Sequence, residues 1–445
     1  MTVFYADHAW LGGDAAVAGV VIEVREERIA LVRQGEPAPP PGAVHLRGVT
    51  VPGLANAHSH AFHRALRGRT QRGRGTFWTW REQMYRIAAR LTPDGYHALA
   101  RAVYAEMALA GITCVGEFHY VHHDTGGRPY ASPNAMGEAL IAAAADAGVR
   151  ITLLDACYLR GGFGMPLEGP QLRFGDGDAA AWIRRVSALD VAAAPHARVG
   201  AAVHSVRAVP PAEIREVSGW TRERGVPLHF HLSEQVAENE ACLSAYGRTP
   251  AELLDENGAL GPLSTAVHAT HLTPAGVGRL GESRTGVCMC PTTERDLADG
   301  IGPARALADA GSPLSLGSDS NAVVDLLEEA RGVEMDERLA TRHRGHWRAG
   351  GLLRAATLGG HASLGWPEAG RIEAGAPADF VTIALDTVRT AGWSPDCLVE
   401  TVVFAATAAD VRDVVVAGRR IVAGGRHLTV DDIPAALASA MTGLL

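Results

Sequence analysis

β-rich sequence stands at both ends of this chain, with residues 50–371 between them. Near the start, Val20–Val24 and Arg28–Val32 flank the charged turn Arg25-Glu26-Glu27, and a Pro-rich patch follows from Pro37 to Pro41. Near the end come Asp379–Ile383, Thr401–Phe404, Val411–Val416 and Arg420–Val422, and VVVAGRRIVAGG reads as a hairpin with a Gly-containing turn. Neither end can make a core alone. The two are therefore expected to combine, 1–49 with 372–445, in one small β-sandwich.

The middle alternates. Apolar runs recur at Val51–His58, Gly111–Glu117, Ile151–Ala156, Val199–Val203, Val226–His231, Thr265–His268, Gly286–Cys290 and Pro313–Gly317. Ala-rich stretches of helical period, such as Tyr96–Ala110 and Asn134–Ala147, lie between most of them. Eight β-then-α units predict an α/β fold, a (β/α)8 TIM-like barrel over 50–371. A doubly wound sheet is the alternative, and it would favour an early Gly-rich dinucleotide loop. Gly73 and Gly75 in QRGRG supply no helix-opening GxGxxG after a strand. No internal repeat or low-complexity segment is visible.

Composition removes several chemistries. All 41 basic residues are Arg. That excludes a P-loop Lys, a Schiff-base or pyridoxal Lys, and a carboxylated Lys bridging two metals. A net charge of −8 argues against nucleic acid or an anionic membrane as partner. The cysteines Cys114, Cys157, Cys242, Cys288, Cys290 and Cys397 show no CxxC spacing, so a reducing, cytoplasmic setting is expected. The opening MTVFYADHAWLGGD has no basic stretch ahead of an apolar core, so no secretory leader is expected. No apolar run reaches membrane-spanning length.

A barrel carries its chemistry at the C-terminal ends of its strands. The first run ends Ala57-His58-Ser59-His60, and the period of two puts both imidazoles on one face. The fifth ends in His231 with Glu234 three residues on, the sixth in His268, and the eighth in Gly317-Ser318-Asp319. A lone strand-end His is more often a hydrogen-bonded core residue than a ligand. Three His and one Asp converging on one mouth, with Glu234 and His268 beside them, suit Zn²⁺ or Fe²⁺. Cys288 and Cys290 form a competing soft pair, better explained as small strand residues.

In VPGLANAHSH, HFHLSE, VHATHL and GSDSN the chain resembles the amidohydrolase superfamily, in its deaminase-like branch. The resemblance covers nearly the full length, and its split sandwich around a barrel is the architecture expected above. It implies a mononuclear site with one divalent metal, Zn²⁺ the expected ion, held by His58, His60, His231 and Asp319.

Further segments narrow the resemblance: HSHAFHRALRG, FWTWREQMY, GEFHYVHHD, VHSVRAV and CPTTERDLADG. They resemble members that hydrolyse a linear amidine carrying two carboxylates, and imply a small-molecule substrate and a homodimer. By that resemblance Arg81, Arg207, Tyr120 and His204 contact substrate; Arg suits a carboxylate because its guanidinium binds one bidentately. Trp78 and Trp80 are candidate pocket walls. Where family members carry Gln, this chain carries His63, which can also donate one hydrogen bond. His268 and Asp319 are expected to take the proton of water, the base left open between them, and Glu234 to move a proton to the leaving nitrogen. The rival readings are a deaminase of an aromatic base, a hydrolase of another amidine or guanidine acid, and a barrel with a vestigial site serving as an assembly surface.

Overall fold

A computed structural model describes residues 1–72 and 75–445, so Gly73 of the Gly-rich stretch lies outside the described residues. The N-terminal segment forms β1 (Thr2–Ala9), β2 (Val17–Arg25), β3 (Arg28–Arg33) and β4 (Val44–Pro52). Then come β5 (Leu54–Ser59), β6 (Ile112–His119), β7 (Arg150–Cys157), β8 (Ala197–Val203), β9 (Leu228–Leu232), β10 (Ser264–His268), β11 (Gly286–Met289) and β12 (Leu314–Leu316). The C-terminal segment adds β13 (Phe380–Ile383), β14 (Val411–Val416), β15 (Arg419–Ala423) and β16 (Arg426–His427).

Strands β5 to β12 pair in sequence order, every pair parallel, with helices between successive strands. That is the expected (β/α)8 order. Three of the helices open on Thr-Pro, at Thr92-Pro93, Thr249-Pro250 and Thr273-Pro274. In each the Thr hydroxyl accepts a backbone N–H that the helix leaves unpaired, and the Pro sits where no N–H is needed. The expected helices at Tyr96–Ala110 and Asn134–Ala147 appear as Pro93–Leu109 and Ala135–Ala147.

The barrel closes at the junction of its first and last strands. Ser59 and Asp319 bridge in parallel, the Asp319 amide donates to His58 O at 2.9 Å, and the His60 amide donates to Asp319 O at 3.0 Å. Buried side chains reinforce the seam: Asn56 Nδ2 donates to Ser318 Oγ, which donates to Asn321 Oδ1, and Asn321 Nδ2 donates to His60 O. A Cβ on Gly317 would stand 2.8 Å from both Cβ and O of His58. Only Gly lets the eighth strand approach the first this closely.

The two chain ends meet in one hydrogen-bonded sheet of order β16-β15-β14-β13-β4-β1-β2-β3. It folds over itself rather than forming two separate sheets. Phe4 and Phe380 touch edge to face at 5.1 Å, and the Ile29 amide donates to Ala376 O beside the β2–β3 turn. The expected turn at Glu26-Glu27 is a two-residue hairpin with both residues left-handed, φ 47° and 68°. Two expectations are corrected. The run Thr401–Phe404 is not a strand but the end of a helix, Leu398–Phe404. Its buried residues fall at 398, 399, 402 and 403, the spacing of one helix face. The run beginning at Val51 splits at Gly53, so Val51 pairs with Val381 in the terminal sheet and the barrel begins at Leu54. No described helix is long and apolar enough to cross a membrane.

Candidate active site

Ligand-bearing atoms of His58, His60, His231 and Asp319 all lie within 4.8 Å of one another. His58 and His60 leave the end of β5 on one face, His231 comes from β9, and Asp319 follows β12. Asp319 Oδ1 stands 3.3 Å from His58 Nε2 and 3.5 Å from His60 Nε2. His60 Nδ1 donates to Phe118 O and His231 Nδ1 to His204 O, each at 2.9 Å. With the outer nitrogen of each ring so engaged, the inner Nε2 of each carries a lone pair directed inward. His231 Nε2 lies 3.2 Å from His58 Nε2. Burial pushes the imidazoles of His58, His60 and His231 below their ordinary range, toward the neutral form that ligates. Burial would raise Asp319, but its hydrogen bond to His58 and the charges of His58 and His268 hold it far below the usual carboxylate range. Neutral nitrogen lone pairs facing one another around a carboxylate make a donor set that fits one divalent cation. Cys288 packs instead in a small apolar cluster with Ala57, Val267 and Cys290.

His268 and Glu234 stand over this cluster. His268 Nε2 is 3.7 Å from Asp319 Oδ2 and 4.0 Å from Glu234 Oε1. Burial and the carboxylates of Asp299 and Asp319 push the Glu234 carboxyl up to about 8, His268 alone opposing them. Burial lowers His268, but Glu234, Glu294 and Asp319 outweigh it and raise the imidazole well above its ordinary value. The backbone is left-handed at Ser233, His268, Ala269 and Asp319, with φ between 45° and 67°. Such conformations are costly for non-Gly residues and concentrate where a fold must aim side chains.

One cavity joins the cluster to the other expected residues: His63, Arg81, Tyr120, His204, Arg207, Glu234 and His268 all line it. Arg81, on helix Phe77–Ala88, lies over Trp78 at 4.5 Å and over Tyr85 at 5.5 Å. Arg207 follows β8, and its Nε is buried without a hydrogen-bond partner. Among the described residues neither Arg81 nor Arg207 has a carboxylate within 4.0 Å, although the chain holds 49 Asp and Glu. Burial, then the charges of Arg207 and Arg81, drive the His204 imidazole well below its ordinary range. His63 Nε2 and Tyr120 Oη hydrogen-bond at 2.8 Å, and burial lowers His63 to about 3, keeping it neutral. Trp80 walls this cavity, whereas Trp78 is 44% exposed and faces an adjoining one. Sequence reading missed Tyr85, Tyr158 and Glu238 on the cavity wall. Tyr85 follows Arg81 by one turn of helix Phe77–Ala88, a spacing that could have found it.

The amidohydrolase family model matches residues 49–421, which spans the barrel together with β13, β14 and the start of β15. A formimidoylglutamate deiminase of Pseudomonas aeruginosa is 38% identical over 422 residues, covering 92% of this chain and 90% of its own. A 5-methylthioadenosine/S-adenosylhomocysteine deaminase of Natronomonas pharaonis is 31% identical over 386 residues, covering 86% and 83%. The crystal structure of an amidohydrolase from Brucella melitensis superposes with a TM-score of 0.92 at 34% identity, covering 100% of both chains. Fold, ligand geometry and sequence thus agree along the whole chain, which belongs to the amidohydrolase family of metal-dependent hydrolases.

Proposed function

We propose that this chain hydrolyses N-formimidoyl-L-glutamate to N-formyl-L-glutamate and ammonia as a step of histidine breakdown, in line with the formimidoylglutamate deiminase named for its Pseudomonas aeruginosa relative. The observation that carries the reading is the pair Arg81 and Arg207, two guanidiniums without acid partners in the cavity that holds the His/Asp cluster. A substrate with two carboxylates supplies direct ion-pair partners, which Glu234 and Glu238 on the same wall, acting on Arg207 from beyond 4.0 Å, do not. A neutral purine would leave both cations uncompensated, which disfavours the nucleoside deamination named for the Natronomonas pharaonis relative.

His58, His60, His231 and Asp319 are the residues that would hold the ion, and three imidazoles with one carboxylate suit Zn²⁺. A divalent ion so bound supplies activated water near neutral pH. The rest falls to the chain. Arg81 and Arg207 grip the two carboxylates and, with Tyr120, His204 and His63, orient the formimidoyl head toward the cluster. Either His268 Nε2, in the neutral ring, or Asp319 Oδ2, 3.7 Å apart, takes the proton released as water adds to the amidine carbon. Glu234, protonated in its buried site, gives a proton to the terminal nitrogen. The carbon–nitrogen bond breaks, that nitrogen leaves as ammonia, and a formyl group remains on the glutamate nitrogen. Six free cysteines support a reducing, cytoplasmic setting for this activity. Exposed Trp78, Val236 and Leu243, on elements that border the adjoining cavity, offer a face for a second copy in a homodimer.

The test is Arg207→Met. If Arg207 grips a carboxylate, the variant leaves that anion unpaired, at a cost of about 2–5 kcal/mol. That corresponds to a loss of roughly 30-fold to several thousand-fold in kcat/KM for formimidoylglutamate. Arg207→Lys should restore part of it, because an ammonium cannot make the bidentate fork. An unchanged kcat/KM in Arg207→Met would remove Arg207 from substrate binding.

A further inference from the structure

We propose that Glu294 is a positioning residue that sets the tautomer and the orientation of His268. Glu294 lies on the short helix Pro291–Asp296 that follows β11. Its Oε1 accepts the Cys290 amide at 2.9 Å and faces His268 Nδ1 at 3.3 Å. The side chain is buried, and among the described residues its one ion-pair partner is His268. A carboxylate taken out of water without an Arg beside it is costly unless another cation or donor answers it. Here the imidazole is that donor, which fixes the hydrogen on Nδ1.

The consequence is at the other nitrogen. With Nδ1–H committed to Glu294, Nε2 is the nitrogen turned toward Asp319 Oδ2 and Glu234 Oε1, and in the neutral ring its lone pair faces the side on which a proton must be received. His268 has no other side-chain hydrogen bond among the described residues, so nothing else selects this tautomer. The remaining imidazoles of the site show a contrast. His60 and His231 are fixed through Nδ1 by the backbone carbonyls of Phe118 and His204, which suits rings that only ligate. His268 is held through Nδ1 by a carboxylate instead, which supports a ring that becomes charged when it takes a proton. Its left-handed backbone, φ 67°, also needs a tether for the ring it aims.

The inference rests on the hydrolase reading above, and two measurements separate the failure of one from the failure of the other. Glu294→Gln keeps the shape and an acceptor for the Cys290 amide, but its amide can offer His268 a donor. We expect kcat for formimidoylglutamate to fall ~10²-fold or more, with KM within ~3-fold and metal content unchanged, the pattern of a lost tautomer. In a His268→Ala background the same change should add nothing. Unchanged kcat, a loss that multiplies with that of His268→Ala, or loss of metal would each overturn the proposal. The second measurement needs no substrate. In ¹⁵N-histidine-labelled protein, the signal missing from His268→Ala identifies the ring. Followed up in pH until the ring is neutral, it should show Nδ1–H in the wild type and Nε2–H in Glu294→Gln; a neutral Nε2–H ring in the wild type would overturn the proposal even if the enzyme proves inactive on formimidoylglutamate. Should Glu294→Gln not fold, the wild-type spectrum decides alone, and Glu294→Asp, which keeps the acceptor on a shorter arm, should keep Nδ1–H while lowering kcat; an Nε2–H ring in either protein would overturn the proposal.

Discussion

Three inward-facing imidazole nitrogens and one carboxylate are held together at the mouth of the barrel by bonds that serve no other purpose there. Nδ1 of His60 and of His231 is tied back to a carbonyl, so removing any ligand leaves neighbours aimed at empty space. Asp319→Asn and His231→Ala should therefore retain less than a tenth of the wild-type metal, read by elemental analysis after dialysis, while wild type holds one ion per chain. Two ions per wild-type chain would contradict the mononuclear reading. Loss of a proton-transfer group gives a different signature. His268→Ala and Glu234→Gln should lower kcat by at least ~10²-fold with the metal retained, and full activity in either would remove that residue from the chemistry. The ligands were legible in the sequence because strand-end positions have a fixed period and a known destination. Glu294 and Glu238 were not, because a carboxylate inside a helix reads as a solvated charge until the fold shows which way it turns.

At the level of elements, the seam between β5 and β12 carries the site. His58, His60 and Asp319 belong to the two strands that close the barrel, so closure and ligation are one event. Gly317→Ala tests this coupling. Its Cβ would meet His58 at 2.8 Å and Cys290 Sγ at 3.0 Å. We expect a stability loss of about 1–3 kcal/mol from overpacking, together with at least ~10-fold weaker metal binding. Gly351→Ala, with open space around its Cβ in helix Ala349–Arg354, should be neutral or slightly stabilising by denaturant titration. Eight apolar runs bounded by helical stretches made the barrel readable. The boundaries were less so. Val51–His58 is one continuous apolar run, and only the contact of Gly53 with Thr113, where a Cβ would approach to 2.2 Å, shows where the chain leaves one sheet for the other. Thr401–Phe404 misled through β-branched composition, when the spacing of its apolar positions already pointed to a helix.

Across the whole molecule, two layers are joined by buried charge. Arg150 on β7 makes a bidentate pair with Asp379, just before β13, at 2.6 and 3.1 Å, and Asp379 Oδ1 also accepts the Ala417 amide. We propose two structural units with this pair as their polar link: residues 1–49 with 372–445, extended to Pro52 because β4 runs that far, and the barrel from Leu54 to 371. Asp379→Ala leaves the guanidinium buried and unpaired, and should cost about 3–5 kcal/mol in unfolding free energy. A second charged cluster sets the acid limit. Arg185 holds the buried Asp155 at about 2 against the opposing push of burial. A carboxyl depressed in the fold stabilises above its unfolded value, near 3.8, and that contribution fades as pH falls toward 2. Wild type should therefore lose roughly 2 kcal/mol relative to Asp155→Asn between pH 5 and pH 2, by denaturant titration of metal-free protein.

The sequence reading of two ends sharing one sheet followed from what short β segments cannot do alone. The folding of that sheet over itself did not, because it depends on long-range contacts such as Phe4 with Phe380. What Arg81 and Arg207 bind decides the function. Ammonia release from N-formimidoyl-L-glutamate and from 5′-methylthioadenosine, measured side by side with the zinc-loaded protein, tests this most directly. Turnover of formimidoylglutamate with one equivalent each of ammonia and N-formylglutamate, and none of the purine, is the predicted result; release of ammonia from the purine alone would contradict it.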